Sequence, residues 1–398
     1  MTEPARKLFL VAGEASGDRL GAALMAGLSQ LAPGTSFAGV GGAGMQAQGL
    51  DSLFPMSDLS VMGLTEVLAR YPLLRRRLHQ TAQAVVATSP DALITIDSPD
   101  FGLRVARLAR AVRPDLPVIH YVAPSVWAWR PGRARKMARV VDHVLALLPF
   151  EPPLMQAAGM SCDFVGHPVV TEPVASPGEV AAFRARHGLD GPLLLVLPGS
   201  RKGELARLGP RFAQTVKRVA AQMPGLRTVL PTLPHVEVEA RTIAAQFDGL
   251  VLLDRDDKRA AFRAADAALA ASGTVSLELA AIVTPMVIGY DMAPLSRWLI
   301  GALLQVETVT LVNLVSETRA VPEFLGRACQ PAPMAGALIR LLTDPEAAAA
   351  QHAAMAETMR RLGAGGEAPG LRAAASVLRA LDQARAGRRS MIQPPPST

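Results

Sequence analysis

Short apolar runs recur along the chain, and longer stretches rich in Ala, Arg and Leu separate them. Such runs are typical of strands buried on both faces of a parallel sheet, and the stretches between them are typical of covering helices. The pattern therefore predicts doubly wound α/β structure. The predicted strands span 8–12, 92–96, 117–122, 144–148, 193–197, 228–230, 250–253, 267–270 and 286–290.

Two domains are predicted, because the alternation weakens between about residues 168 and 190, where proline and glycine interrupt it. A length of 398 residues also exceeds what one ordinary core requires. We expect one Rossmann-like domain over 1–172 and a second over 173–362, the two facing a cleft. A C-terminal helix with a disordered tail is expected over 363–398, and this helix is expected to cross back to the first domain or to a dimer partner.

Composition narrows the range of partners. The chain has 41 Lys and Arg against 34 Asp and Glu, a net charge of +7, which favours anionic ligands or an acidic membrane surface. Nucleic acid is not expected, because aromatic residues make up only 4% and no recognition module is visible. Two cysteines exclude a disulfide framework and a zinc cluster. No apolar stretch reaches the ~18 residues of a membrane span, so we expect a cytoplasmic protein that can still bind a membrane surface.

Two loops that follow predicted strands carry groups suited to phosphate. In parallel sheets ligands bind beyond the carboxyl ends of the strands, where backbone N–H groups and Arg side chains can hold phosphate oxygens. Each loop alone could equally be a tight turn or a helix cap. Together they favour a nucleotide site, in which Glu278 is able to accept hydrogen bonds from ribose hydroxyls. The loop residues are Gly199, Ser200, Arg201, Ser272, Gly273 and Thr274.

Acidic residues follow two other predicted strands. Asp97 follows directly after the strand 92–96, and Asp100 comes three residues later. At the end of a buried strand a carboxylate needs a hydrogen-bonding or charged partner, or else has a role in the chemistry of the protein. Asp97 is therefore a candidate general base, with a helix cap as the alternative. The turn after 8–12 contains Glu14, Ser16 and Gly17. Because this turn holds two carboxylates, it suits sugar hydroxyls better than an anion.

The segment 61–78 predicts a basic amphipathic helix. Its apolar residues recur at helical spacing and its polar positions include four arginines, which suits an anionic membrane interface. A solvated surface helix with one core-facing side is the alternative. The arginines are Arg70, Arg75, Arg76 and Arg77, and the apolar patch consists of Val61, Met62, Leu64 and Leu68.

The glycine-rich segment 39–44 matches the dinucleotide pattern G-x-G-x-x-G. The match is a lone one, and it follows the first strand–helix unit instead of lying inside it. We interpret it as a glycine loop near the site, and an oxidoreductase built on this loop is the alternative.

Taken in order along nearly the whole chain, these motifs resemble the lipid-A-disaccharide synthase family. The resemblance implies the two-domain glycosyltransferase B architecture. It implies an inverting transfer of 2,3-diacylglucosamine from UDP to the 6-hydroxyl of 2,3-diacylglucosamine 1-phosphate, which gives the disaccharide 1-phosphate precursor of lipid A and UDP. Peripheral attachment to the inner face of the inner membrane, and homodimers in some members, are also implied. The matching segments are 13–18, 40–45, 61–63, 96–101, 124–130, 166–168, 198–201, 271–278 and Asn313.

The resemblance also assigns roles by position. Asp97 resembles the general base, Met62 and its neighbours resemble the membrane patch, and the two phosphate loops resemble the UDP contacts. The further UDP contacts are Glu278 and Asn313, and the candidate helpers near the acceptor are Glu14, Asp100 and His167.

We expect neither a metal nor a cofactor, because Arg201 and the helix end at 272–274 would stabilise the charge on departing UDP. Three alternatives remain. One is a UDP-sugar 2-epimerase on the same scaffold, which uses the same UDP loops without a lipid surface. The others are the oxidoreductase and a non-catalytic protein that binds anionic membranes or RNA.

Overall fold

The computed structural model describes residues 6–59, 64–127, 132–292 and 308–392. The chain forms two compact units, which we call unit 1 (Met1–Pro168 with Gly365–Thr398) and unit 2 (Val169–Ala364). These boundaries lie at 168/169 and 364/365, beside the predicted 172/173 and 362/363.

Unit 1 is built on a parallel sheet in the order β2-β1-β3-β4-β5-β6. All of its described strand pairs are parallel, which confirms the α/β prediction for this part of the chain. The edge strand β2 was not predicted, because it mixes polar and partly exposed residues with apolar ones. The strands are β1 (Lys7–Ala12), β2 (Ser36–Val40), β3 (Ala92–Ile96), β4 (Val118–Tyr121), β5 (His143–Ala146) and β6 (Ser161–Phe164).

Helices cover both faces of this sheet. Along β1, Leu8 and Leu10 belong to one buried cluster and Phe9 and Val11 belong to the other, as expected when successive side chains point to opposite faces. Both faces of the sheet are therefore buried, which explains why the strand sequences are almost continuously apolar. The helices are α1 (Ala15–Leu31), α2 (Ala43–Ala47), α3 (Leu64–Thr88), α4 (Pro99–Val112), α5 (Gly132–Met137) and α6 (Pro152–Gln156).

Unit 2 repeats the design, with the strand order β12-β11-β10-β7-β8-β9. The strands are β7 (Leu193–Leu197), β8 (Arg227–Pro231), β9 (Leu250–Leu252), β10 (Ala267–Ala270), β11 (Met286–Tyr290) and β12 (Glu323–Leu325). The helices are α7 (Pro177–His187), α8 (Lys202–Ala220), α9 (Glu237–Ala244), α10 (Arg255–Ala264), α11 (Val275–Ala281), α12 (Leu311–Ser316), α13 (Pro331–Thr343) and α14 (Pro345–Arg361).

The segment predicted as a linker is partly helical. Helix α7 begins within it, at a capping box in which the Ser176 hydroxyl accepts the Glu179 N–H and the Glu179 carboxylate accepts the Ser176 N–H. Pro177 stands at the first helical turn, where a missing N–H costs nothing. Pro177, one of the residues that interrupt the alternation of strands and helices in the sequence, therefore marks the start of a helix.

The last helix, α15 (Pro369–Ile392), packs against α1 in unit 1, so it does cross back to the first domain. The two helices meet at glycines: a Cβ added at Gly27 would lie 2.6 Å from the Gly370 carbonyl oxygen. Arg6 adds an ion pair with Asp382 at 3.0 Å.

This contact predicts opposite effects for two glycine-to-alanine changes. Gly27→Ala forces the helices apart, so we expect the free energy of unfolding to fall by about 1–3 kcal/mol. Gly336→Ala is the matched control in α13, where an added Cβ meets nothing within 4 Å. There, the better helix propensity should raise the free energy of unfolding by up to about 1 kcal/mol. Urea denaturation of both variants measures this, and equal effects of the same sign would contradict the close packing.

Candidate functional site

The carboxyl edge of the unit 1 sheet brings the predicted acid together with the predicted turn. Strands β1 and β3 are paired so that Ala12 lies opposite Ile96, and the loops that follow them are therefore neighbours. The Ser16 hydroxyl donates a hydrogen bond to Asp97 Oδ2 at 3.0 Å. A Cβ on Gly17 would lie 3.3 Å from the Ile96 carbonyl oxygen, so glycine lets α1 approach the base of this loop.

The backbone at Asp97 is held in an unfavourable conformation. Asp97 has φ 51° and Ser98 has φ 39°, two consecutive non-glycine residues in the left-handed region, at a cost of roughly 1–3 kcal/mol each. The Asp97 N–H donates to the Tyr121 carbonyl oxygen at 2.9 Å, and the Ser98 N–H donates to Asp97 Oδ1 at 2.9 Å. Each oxygen of the Asp97 carboxylate thus accepts one hydrogen bond within the protein and can accept another from a substrate hydroxyl.

A buried histidine lies one strand away from Asp97 and was missed in the sequence. His120 on β4 is fully buried, with Nδ1 2.7 Å from the Thr95 hydroxyl. Burial lowers the pKa of His120 to about 4, although the charge of Asp97 acts in the other direction. At neutral pH the imidazole is therefore uncharged and leaves the negative charge of Asp97 in place. A polar residue in the middle of the apolar run 117–122 was the available signal.

A second missed residue is Glu151, which follows β5 at the same edge of the sheet. Its Oε2 accepts the Leu148 N–H at 3.0 Å. Burial raises the pKa of the Glu151 carboxyl to about 8, and the nearby N–H groups and Trp127 offset this only in part. Glu151 is therefore mainly a neutral acid at pH 7.

The other acceptor-side residues have different surroundings. Glu14 is the exposed N-cap residue of α1, and Asp100 is exposed in the first turn of α4. His167 is partly buried, and burial lowers its pKa to about 4, so its ring is neutral at pH 7.

The glycine-rich loop is already occupied by a side chain of the protein. Asp18 accepts the N–H groups of Gly42 at 2.8 Å, Gly44 at 2.8 Å and Met45 at 3.0 Å. These are the donors that a dinucleotide pyrophosphate would use. The loop is therefore a structural support for α1, which argues against the oxidoreductase.

The carboxyl edge of the unit 2 sheet joins the two predicted phosphate loops. Strands β7 and β10 are paired so that Leu197 lies opposite Ala270, and the Ala271 N–H donates to the Leu197 carbonyl oxygen at 2.8 Å. The loops containing Gly199 to Arg201 and Ser272 to Thr274 therefore start side by side. Gly273 and Thr274 are exposed and Ser272 is half-buried, so their polar groups are accessible to a ligand.

Acidic side chains accompany the cations of this edge. Arg201 is 71% exposed, with Nη1 3.6 Å from Glu204 Oε1. Lys258 Nζ lies 3.5 Å from Glu278 Oε2. His235, which was also missed in the sequence, donates from Nε2 to the Ser200 carbonyl oxygen at 3.0 Å. The Glu278 carboxylate is half-buried and has Lys258 as a cationic partner.

Asn313 has a different environment from the other predicted UDP contacts. It is fully buried on α12, where its Nδ2 donates to the Val321 carbonyl oxygen at 2.9 Å and its Oδ1 accepts the Val321 N–H at 3.0 Å. These bonds hold the loop 313–321 closed. A direct contact between Asn313 and UDP requires a rearrangement of this loop, and the contact stays a prediction.

The membrane patch can be described only in part. Val61 and Met62 lie outside the described residues, and Leu64 and Leu68 belong to the stretch of α3 whose side chains are not described. Further along α3, Tyr71, Arg75 and Arg76 are exposed. Among the residues that the structure covers, no helix is both long and apolar enough to cross a membrane.

Arg77 on the same helix has a structural role. Its guanidinium pairs with Asp58 at 2.7 Å and stacks 4.5 Å from the centre of the Phe54 ring. It fixes α3 to the loop before it, and it is therefore less available to a surface than the exposed Arg75 and Arg76.

An Asp-x-Asp sequence, a common metal-binding pattern, occurs at 254–256. Asp254 caps α10, because its Oδ1 accepts the N–H groups of Asp256 at 2.8 Å and Asp257 at 2.9 Å. In the described parts of the chain, no three His, Cys, Asp or Glu side chains cluster as metal ligands do. The metal-free reaction stays a prediction.

The raised pKa of Glu151 predicts a pH-dependent stability. In the unfolded chain the carboxyl group loses its proton near its ordinary pKa of 4.5, but in the folded protein only near 8. The folded protein binds more protons between these values, so its stability falls as the pH rises through this window. Glu151→Gln removes the effect. From pH 5 to pH 8, its free energy of unfolding relative to that of the unsubstituted protein should rise by about 3–4 kcal/mol. An equal difference at both pH values, measured by urea denaturation, would contradict the buried neutral acid.

Comparison with known proteins identifies close relatives. A family model described as "Lipid-A-disaccharide synthetase" matches residues 8–368. The "Lipid-A-disaccharide synthase" of Ruegeria pomeroyi is 57% identical over 383 residues, which cover 94% of each chain. That of Rhodospirillum centenum is 49% identical over 93% of this chain and 94% of its own.

Solved structures extend the likeness in fold. The UDP-GlcNAc 2-epimerase from Neisseria meningitidis bound to UDP-GlcNAc has a TM-score of 0.63 at 12% identity, over 95% of this chain and all of that one. CalG4, the calicheamicin glycosyltransferase, has a TM-score of 0.55 at 16% identity, over 96% and 99%. At these identities the likeness concerns the fold alone, and it confirms the predicted glycosyltransferase B type.

Proposed function

The chain belongs to the lipid-A-disaccharide synthetase family, and from this premise we propose how its two sheet edges carry out a sugar transfer. Family membership makes the protein a glycosyltransferase of lipid A biosynthesis, and a UDP-sugar is its proposed donor. We propose UDP-2,3-diacylglucosamine as donor and 2,3-diacylglucosamine 1-phosphate as acceptor. The observation that carries the proposal is the pairing of β7 with β10, which sets two phosphate-type loops side by side.

Asp97 is the proposed general base. The 6-hydroxyl of the acceptor is a poor nucleophile, and a carboxylate that takes its proton during attack lowers the barrier. The Ser16 hydroxyl and the Ser98 N–H orient the carboxylate, and each of its oxygens can accept a further hydrogen bond. Oxygen 6 bonds to the anomeric carbon from the face opposite UDP, the bond from that carbon to the phosphate oxygen breaks, and its electron pair leaves with UDP. One displacement inverts the configuration.

The loops of unit 2 stabilise the leaving group in this proposal. Charge develops on the β-phosphate as the glycosidic bond breaks, and fixed donors aimed at it lower the barrier without reorganisation. Arg201 supplies a permanent cation, and the exposed turn at 272–274 supplies N–H and hydroxyl groups. Glu278 is the proposed acceptor of hydrogen bonds from the ribose hydroxyls.

The alternatives are less well supported. The likeness to UDP-sugar 2-epimerases is one of fold at 12–14% identity, whereas relatives at 49–57% identity are named as synthases. An oxidoreductase would need the glycine loop, whose donors Asp18 already uses.

Purified protein with both acylated substrates should release one UDP for each disaccharide 1-phosphate formed, with and without EDTA. Asp97→Asn should lower kcat by about 10²–10⁴-fold, because the amide cannot take a proton, while the affinity for UDP stays the same. Asp100→Asn, an exposed change in the first turn of the helix that follows Asp97, should lower kcat far less. Mass spectrometry of the product and coupled UDP detection measure this. An active Asp97→Asn enzyme would remove Asp97 from the role of base.

We further propose that α3 docks on the anionic inner face of the inner membrane. Both substrates carry acyl chains, and each buried CH₂ group contributes about 0.8 kcal/mol, so they stay in the bilayer. The exposed Tyr71, Arg75 and Arg76 support an interfacial position, since aromatic rings and cations favour an anionic headgroup layer.

Reversal of charge on α3 should weaken this docking. The double variant Arg75→Glu with Arg76→Glu should bind vesicles that contain phosphatidylglycerol more than about tenfold less tightly, because each cation near the surface contributes about 1 kcal/mol. Arg104→Glu with Arg107→Glu is the matched control, since it makes the same charge change at exposed positions of α4. Sedimentation with vesicles measures binding, and equal losses in both double variants would remove α3 as the docking element.

A further inference from the structure

Glu204 lies over the turn that holds the proposed phosphate donors of unit 2. Its Oε2 accepts the Ser200 N–H at 3.1 Å, and its Oε1 is 3.6 Å from Arg201 Nη1. A Cβ added at Gly199 would lie 2.5 Å from Glu204 Oε2, so the carboxylate fills the space that the glycine leaves open. A carboxylate thus already contacts an N–H group and a cation that a pyrophosphate would use.

Carboxylate and phosphate oxygens accept from the same kinds of donor, so they compete for one position. The backbone of this turn has a second support, because His235 Nε2 donates to the Ser200 carbonyl oxygen at 3.0 Å. The Glu204 carboxylate is the partner that can move, since its side chain has rotatable bonds and is 22% exposed. An arriving anion can therefore replace it without a change in the backbone.

We propose that Glu204 is an internal competitor of the pyrophosphate and sets the affinity of the UDP site. In the empty enzyme the Glu204 carboxylate occupies the Ser200 N–H and neutralises Arg201. When UDP or the UDP-sugar binds, its phosphate takes both partners and Glu204 turns away toward solvent. UDP is therefore bound less tightly than the donors alone would allow, which favours its release as a product. This inference rests on the proposed function.

The test compares UDP and uridine binding to the full-length protein by isothermal titration calorimetry. Glu204→Gln keeps the size and an acceptor oxygen of the side chain but removes its charge. The dissociation constant for UDP should fall by about threefold to tenfold, since a like charge a few ångströms away no longer opposes the ligand. Uridine, which has no phosphate, should bind both proteins equally. Glu204→Ala should also bind UDP more tightly.

Glu237→Gln is the matched control. Glu237 pairs with Arg241 at 2.8 Å on α9, and neither residue belongs to the proposed phosphate loops. The variant makes the same change of charge and should leave UDP affinity unchanged. Unchanged or weaker UDP binding by Glu204→Gln, tighter binding of uridine, or an equal gain in Glu237→Gln would each overturn the competitor role.

Failure of the proposed function has a different signature. If the unsubstituted protein does not bind UDP, or if Arg201→Ala binds it as well as the unsubstituted protein does, the nucleotide site itself is wrong. If UDP binding depends on Arg201 but is indifferent to Glu204→Gln, only the competitor role fails. Thermal unfolding of each variant verifies that the folded protein was measured.

Discussion

Parallel pairing of neighbouring strands is the constraint on which both candidate sites depend. Loops that are far apart in the sequence become neighbours only because Ala12 lies opposite Ile96 in one sheet and Leu197 lies opposite Ala270 in the other. A shift of one residue in either register would exchange the two sets of buried side chains between the faces of the sheet and disrupt the packing of both. The cores that cover both sheet faces therefore hold these loops in register.

The same rigidity maintains the strained backbone at Asp97 and Ser98. Two left-handed residues in succession are unfavourable and persist only where their surroundings permit no alternative. The N–H of Asp97 is held by β4 on one side, and α1 approaches closely at Gly17 on the other. This arrangement presents the carboxylate beyond the end of the strand, where its two oxygens have fixed donors. Stability elsewhere in the unit thus supports an orientation that the local chain would not adopt alone.

The interior of the fold and the loops of the site could be predicted because they leave strong local patterns. Strands buried on both faces are apolar throughout, whereas β2 and β12 carry polar or partly exposed residues and give no such signal. The positions of Asp97 and Arg201 followed from the rule that ligands bind at carboxyl ends of parallel strands. His120, Glu151 and Glu204 did not follow, because burial and pairing of a polar side chain depend on tertiary contacts.

The carboxyl edges of the two sheets differ in how their charged groups are arranged. In unit 1, burial leaves His120 and Glu151 mainly neutral at pH 7, so the negative charge of Asp97 is not offset by nearby imidazolium. In unit 2, Arg201, Lys202 and Lys258 each have an acidic partner, so this edge is not an open cationic patch despite the net charge of +7. A simple anion gains little from a cation that is already paired. A ligand that fits both adjacent loops can replace several of these acidic partners at once. The shape of the ligand therefore decides its affinity for this edge more than its charge does.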